Sequence, residues 1–292
     1  GIELPKPILL PTILLPNEDG SLVATTDSTP IIRRLENEFT ERRIVPNDPA
    51  LAFINYLLED FGDEWVTKYM FHYRWYFKED ADVAGTILPL ADIGINTPNE
   101  MHAKYKEFVS KRQIDRLWVV GSNDDTANFI DLSYKRFLNL MEEHLLNSSF
   151  LLGTKPSSSD FSFYGQLTQL VGFDPTPRKI AYEYSLRTVA WVDILDDLSG
   201  HDAENTAWTK LEDSPESLKN LLKEVGKMYI PALLSNAQAL ENGDEIWEMN
   251  IDNAVWKQKT FPYQAKCLKW IKNEFDLLNQ EDKKRVLDFL DD

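Results

Sequence analysis

Few residues of this chain carry the side chains that chemistry needs, and they are scattered. Among 292 residues there are four histidines, His72, His102, His144 and His201, and one cysteine, Cys267. Zinc ligands recur at short fixed spacings, which these histidines lack, so no metal site is expected. Cys267 cannot close an internal disulfide, which agrees with a reducing compartment, and its apolar helical surroundings mark it as buried filler. The densest concentration of functional groups is His72-Tyr73-Arg74-Trp75-Tyr76. Consecutive helical residues point in different directions, however, so the set that shares one face is Tyr69, His72 and Tyr76. General-base work by His72 is the chemistry such a face can offer; aromatic packing between helices is the commoner use of these residue types. Arg74 reads as a surface ion-pair partner, and Trp65, Trp75, Trp191 and Trp208 as packing residues. A second candidate is Asp27-Ser28-Thr29-Pro30, where Ser28 or Thr29 is expected to cap a helix and Pro30 falls in its first turn. An acidic side chain there can pair with an ammonium group, while a hydroxyl and the free N–H groups of a helix start can hold a carboxylate.

The elements that must position these residues are mostly helical. An apolar fraction of 43% supports a substantial core in one large or two ordinary domains. The net charge of −17, from 31 basic and 48 acidic residues, argues against a nucleic-acid or anionic-membrane partner, since both rely on clustered Lys and Arg. No apolar run approaches the ~18 residues that suggest a membrane span, and the opening segment lacks the pattern of a signal peptide. A cytoplasmic location is expected.

In chain order, residues 7–25 hold two apolar segments around the turn signal Asn17-Glu18-Asp19-Gly20, which predicts an antiparallel hairpin. Pro11 in the first segment marks an edge, a bulge or a cis bond. A helix led by Ile31, Ile32 and Leu35 follows, then a polar, proline-bearing linker over residues 40–49. The spacing of Ile54, Leu57, Leu58, Phe61 and Trp65, continued by Tyr69, His72 and Tyr76, predicts one long core helix over residues 50–77. Residues 78–98 read as irregular because of Gly85, Pro89, Gly94 and Pro98, with helices over 100–117 and 123–146. Residues 173–177 read as a turn, 180–198 as a helix, 218–240 as a helix that Pro231 starts, kinks or breaks, 245–259 as a short hairpin, and 262–278 and 281–290 as closing helices. The organising stretch is residues 150–170: an apolar run, Gly153, then Ser157 as N-cap with Asp160 at the third helical position, a capping box that starts a central helix.

The pattern G-x-x-x-S-x-x-D before an apolar helix resembles the capping box in the all-helical domain of glutathione transferases. The proline hairpin, Asp27-Ser28, the linker and the helical region stand in the order of that superfamily, and the tail WKQKTFPYQAKCLKWI resembles a bacterial-type subgroup. The resemblance covers nearly the whole chain and implies a mainly α fold: a partial thioredoxin-like α/β segment over residues 1–39, a linker over 40–49, and an all-helical C-terminal domain over 50–292. It places Leu10-Pro11-Thr12-Ile13 on the family's V-P-x-L segment, whose cis proline is flanked by backbone that holds the cysteinyl part of glutathione. It likewise puts Asp27 and Ser28 on the acid-serine pair that binds the γ-glutamyl end. The implied activity is conjugation or reduction of a small electrophile by glutathione as co-substrate, with Tyr69, His72 and Tyr76 beside the electrophile and a homodimer as the default assembly.

One departure is large. The family's thioredoxin-like domain opens with a strand, helix and parallel strand needing roughly 30 residues, whereas nine residues precede Leu10. The half that supplies the thiol-activating Tyr, Ser or Cys is absent from this sequence, so the catalytic residue is unassigned. The expectation is either a fragment of a longer protein or a member without that chemistry. The alternative function is a non-catalytic binding or assembly module of the same shape; a third is a relative specialised for reductive dehalogenation or ether cleavage.

Overall fold

The computed structural model describes residues 2–6, 10–251 and 254–291. The chain divides into two compact units, Gly1–Pro46 and Asn47–Asp292.

In the first unit the turn signal at Asn17-Glu18-Asp19-Gly20 closes a hairpin of β1 (Thr12–Pro16) and β2 (Leu22–Thr26), antiparallel with Thr12 opposite Thr26 and Pro16 opposite Leu22. Gly20 takes φ 80°, a value that its missing Cβ makes cheap, and Asp19 Oδ1 accepts from the Ser21 N–H at 2.9 Å. The first strand begins after Pro11, and the Leu10–Pro11 peptide is cis. Residues 7–9, which belong to the expected apolar segment, lie outside the described residues. Helix α1 (Ser28–Glu38) follows and packs against β2, with Ile31 buried. Its cap is Asp27, where Ser28 or Thr29 was expected. The Asp27 carboxylate accepts from Thr29 N–H at 3.3 Å while the backbone sits at φ 78°, a region Asp visits more readily than most residues. The polar stretch after α1 is not simply extended: buried Glu36 accepts from Arg43 Nε at 3.0 Å and from Ile44 N–H at 2.8 Å.

Among the described residues, the second unit's named elements are helical apart from one hairpin. The expected long helix exists as α2 (Pro49–Phe61) and α3 (Thr67–Tyr76), joined through a π-helical turn at Gly62–Val66. That turn lies where α7 (Ser158–Gly172) packs closest. A Cβ on Gly62 would stand 2.2 Å from Ser162 Oγ, and Ser162 Oγ donates to the Glu59 carbonyl at 2.6 Å. The capping box forms as the sequence predicts. Asp160 accepts from Ser157 N–H and from Leu151 N–H, both at 2.8 Å, so its carboxylate ties the helix start to the apolar run before it. Around these helices Phe61, Phe137, Phe163 and Tyr229 form an aromatic centre, with Phe137 and Phe163 ring centroids 5.5 Å apart.

Residues 78–98, read as irregular, instead form α4 (Lys78–Ile93) around Pro89. Packing against α5 (Asn99–Ile114) outweighs the proline: Gly85 faces Ser110, where a Cβ would be 2.1 Å from Oγ, and His102 Nε2 lies 2.7 Å from the Thr86 carbonyl. Helix α6 (Ala127–Asn147) runs past the core, after a 3₁₀ turn at Leu117–Val120. The expected turn at 173–177 is the start of α8 (Pro175–Tyr184), since Pro at the first helical position lacks only an N–H that would have no partner there. The helix expected over 180–198 breaks at Ser185, which caps α9 (Leu186–Asp196) by accepting from Thr188 N–H at 3.2 Å. Helices α10 (Glu216–Glu224) and α11 (Ile230–Asn242) are joined by a second π-helical turn at Val225–Tyr229, so Pro231 lies in a new first turn. The hairpin β3 (Ile246–Ile251) and β4 (Ala254–Lys259) turns Trp247, Met249 and Ile251 inward. Residues 252 and 253 lie outside the described residues. Helices α12 (Pro262–Leu277), carrying buried Cys267, and α13 (Gln280–Asp291) close the chain.

Candidate functional site

Three places hold the residues that could act. In the first unit, hairpin pairing returns β2 to the segment that precedes β1. The Asp27 N–H donates to the Pro11 carbonyl at 3.1 Å, and Thr12 Oγ1 lies 3.0 Å from Thr26 Oγ1. Leu10-Pro11 and Asp27-Ser28, sixteen or more residues apart in sequence, thereby share one end of the hairpin at the start of α1. Leu10 is 91% exposed, and Asp27 and Ser28 are half-buried. Such an arrangement offers a backbone edge at Leu10-Pro11, a carboxylate, a hydroxyl and the dipole of a helix start.

The second place is the face of α3 named from the sequence. Tyr69, His72 and Tyr76 do lie along one side of it, but they do not open together onto a cavity. Tyr69 is buried, accepts from Trp65 Nε1 at 2.9 Å and shares a hydrogen bond with Ser133 Oγ at 2.6 Å; burial is the main cause that raises its hydroxyl pKa. His72 is fully buried, with Nδ1 2.7 Å from Ser122 Oγ and Nε2 without a partner among the described residues. Burial pulls its pKa down to about 4, against the opposing charge of Asp131, so the ring is neutral near pH 7. Tyr76 stacks on that ring at 4.7 Å and donates its hydroxyl hydrogen to Asp124 at 2.8 Å. Arg74 is not on the surface. It is buried and forks onto Asp174, with Nε to Oδ1 and Nη2 to Oδ2 both at 2.9 Å, and reaches Gln169 at 2.8 Å.

Beside this face lies a buried cation that the sequence reading passed over. Lys68 is 1% exposed, its Nζ 3.4 Å from Gln258 Oε1 and 5.5 and 5.8 Å from the rings of Trp65 and Trp256. Burial pulls its pKa down to about 8, with Glu64 opposing. Gln258 is fixed from both ends: Oε1 accepts from Trp256 Nε1 at 3.2 Å, and Nε2 donates to the Val119 carbonyl at 2.6 Å. The available signal was a lysine three residues after Trp65 on an otherwise apolar stripe.

The third place is a pocket of ≈ 510 Å³ in the second unit, bounded by the end of α6, the turn that follows it, α9 and the loop after α9. Leu145, Phe150, Trp191 and Ile194 supply apolar wall, while Arg187 and His201 supply polar groups. Nothing in the sequence pattern joins these positions. Among the described residues no cluster of His, Cys, Asp and Glu is arranged to hold a metal, and no helix is long and apolar enough to cross a membrane.

Compared with known proteins, the chain has no significant match to a family model, to a curated protein or to a solved structure.

Proposed function

We propose that this chain is a glutathione transferase-like protein that binds glutathione and conjugates it to a small electrophile. The observation that carries the reading is the 3.1 Å hydrogen bond from Asp27 N–H to the Pro11 carbonyl, which joins the two motifs the resemblance singles out. In this reading the Asp27 carboxylate pairs with the γ-glutamyl ammonium. Ser28 Oγ and first-turn N–H groups of α1 hold the neighbouring carboxylate, and the Leu10-Pro11 backbone aligns the cysteinyl part. The thiolate attacks an electrophilic carbon: a carbon–sulfur bond forms, the leaving group departs with its electron pair, and the thiol proton goes to solvent. The hairpin with α1 is then a partial thioredoxin-like unit, the second unit the helical domain, and the reducing cytoplasm the compartment where glutathione is plentiful.

The packing of Tyr69 and His72 favours a second reading, a glutathione transferase-shaped module that binds without catalysis, because neither side chain is available to a substrate. Calorimetry and turnover separate the two. Asp27→Ala is expected to weaken glutathione binding about tenfold or more, the worth of one charge-assisted contact. Chloride release from 1-chloro-2,4-dinitrobenzene with glutathione supports the enzyme; binding without turnover supports the module; an affinity unchanged by Asp27→Ala overturns both.

A further inference from the structure

We propose that the pocket between α6, α9 and the loop after α9 is a binding site for a small apolar molecule carrying one carboxylate. All of its lining residues lie in the second unit, and none is a residue of the proposed glutathione site. Its volume of ≈ 510 Å³ falls in the range used by small-molecule sites. The walls are built, not incidental. Residues 150–154 are pinned to the far end of the loop by Thr154 N–H to the Ala207 carbonyl at 3.0 Å and by Thr209 N–H to the Leu152 carbonyl at 2.8 Å. Trp191 spends its indole N–H on the Ser149 carbonyl at 3.1 Å, so it has no donor left and contributes apolar surface. His201 stands edge-on to Phe150 with centroids 5.3 Å apart, and its Nε2 is shielded from solvent without a partner among the described residues. An unpaired nitrogen of this kind costs stability until a ligand meets it.

Charge selects the head group. In a chain of net charge −17, no Asp or Glu among the described residues lines this pocket, whereas Arg187 and His201 do. Two nearby carboxylates are already engaged. Glu142 pairs with Arg187 and accepts from Ser185 Oγ at 2.9 Å, and Asp202 accepts from Asn205 Nδ2 at 2.6 Å and Glu204 N–H at 3.0 Å within its own loop. The Arg187 side chain, 46% exposed, uses Nη1 for Glu142 and has no other side-chain partner among the described residues. An arylalkyl carboxylate fits this pattern: its ring against Trp191 and Ile194, its acid on Arg187 and the His201 ring.

The test is calorimetry on the full chain with 4-phenylbutyrate, without glutathione, and with 4-phenyl-1-butanol as the uncharged analogue. One site is expected, with a negative heat-capacity change from apolar burial, and the alcohol about tenfold weaker or worse because it lacks the charged contact. Ala190→Trp, at an exposed lining position, is expected to abolish binding by filling the pocket; Ile194→Trp serves if that variant melts abnormally. His201→Phe keeps the ring contact with Phe150 and is expected to weaken the acid but not the alcohol. No binding of 4-phenylbutyrate, equal affinity for acid and alcohol, or binding indifferent to the filling substitution each overturns the proposal.

Discussion

Lys68 and His72 are buried ionisable groups on successive turns of α3, and both depart from their ordinary pKa in the direction that penalises charge. For a base whose folded pKa is depressed, the stabilising contribution is complete above the unfolded pKa and lost as pH falls through the folded one. Lys68, about 8 in the fold against 10.5 free, should make the protein gain stability on the order of 3 kcal/mol between pH 8 and 10.5. Lys68→Met should lack that rise and be the more stable protein at pH 7, as urea midpoints across pH will show. His72, about 4 against 6.5, acts on the acid side: stability should fall as pH drops from 6.5 towards 4, by an amount on the order of 3 kcal/mol, with Asp131 opposing. His72→Gln should flatten that limb; an unaltered acid limb would mean that the ring is not the group titrating. The sequence shows that a lysine and a histidine lie on an apolar stripe. It does not show that Gln258, 190 residues further on, turns back to meet the lysine, because that contact depends on how a hairpin packs against a helix.

At the scale of elements, local signals and tertiary packing divide the fold between them. The two hairpins, the capping box and most helix spans were legible because turn residues, a cap and a periodic apolar stripe are local. Proline was the unreliable sign. Pro89 suggested a break inside what is a helix, since α5 supplies the packing that holds α4 together, and Pro175 suggested a turn where it starts a helix. Asp27 as cap was missed because Ser and Thr look equally able to cap, and only the backbone at φ 78° decides among neighbours. The capping box carries a sharp expectation. Ser157→Ala should cost ~1 kcal/mol, the usual worth of a cap. Asp160→Ala should cost ~3 kcal/mol or more, because it strands the buried N–H groups of Leu151 and Ser157 as well. Denaturant melts of the two variants compare them directly, and equal losses would mean that Asp160 does not tie the two segments.

On the scale of the whole molecule, each unit has its own reason to exist. The second holds the aromatic centre and the central helix; the first is a hairpin and one helix whose buried apolar side chains, among the described residues, are Leu15, Ala24 and Ile31. The resemblance singles out Asp27 and Ser28 as candidate positions, and their meeting with Pro11 follows from hairpin register. The pocket beside His201 was not legible, since its walls come from segments that only tertiary structure joins.

The most direct test of the proposed function is a calorimetric titration of the whole chain with glutathione and with cysteinylglycine, which lacks the γ-glutamyl group. If Asp27 and Ser28 hold that group, glutathione binds at one site and cysteinylglycine is weaker by about a hundredfold, as expected when two charge-assisted contacts are lost together. Equal affinity for the two peptides, or no binding of glutathione, would contradict the assignment.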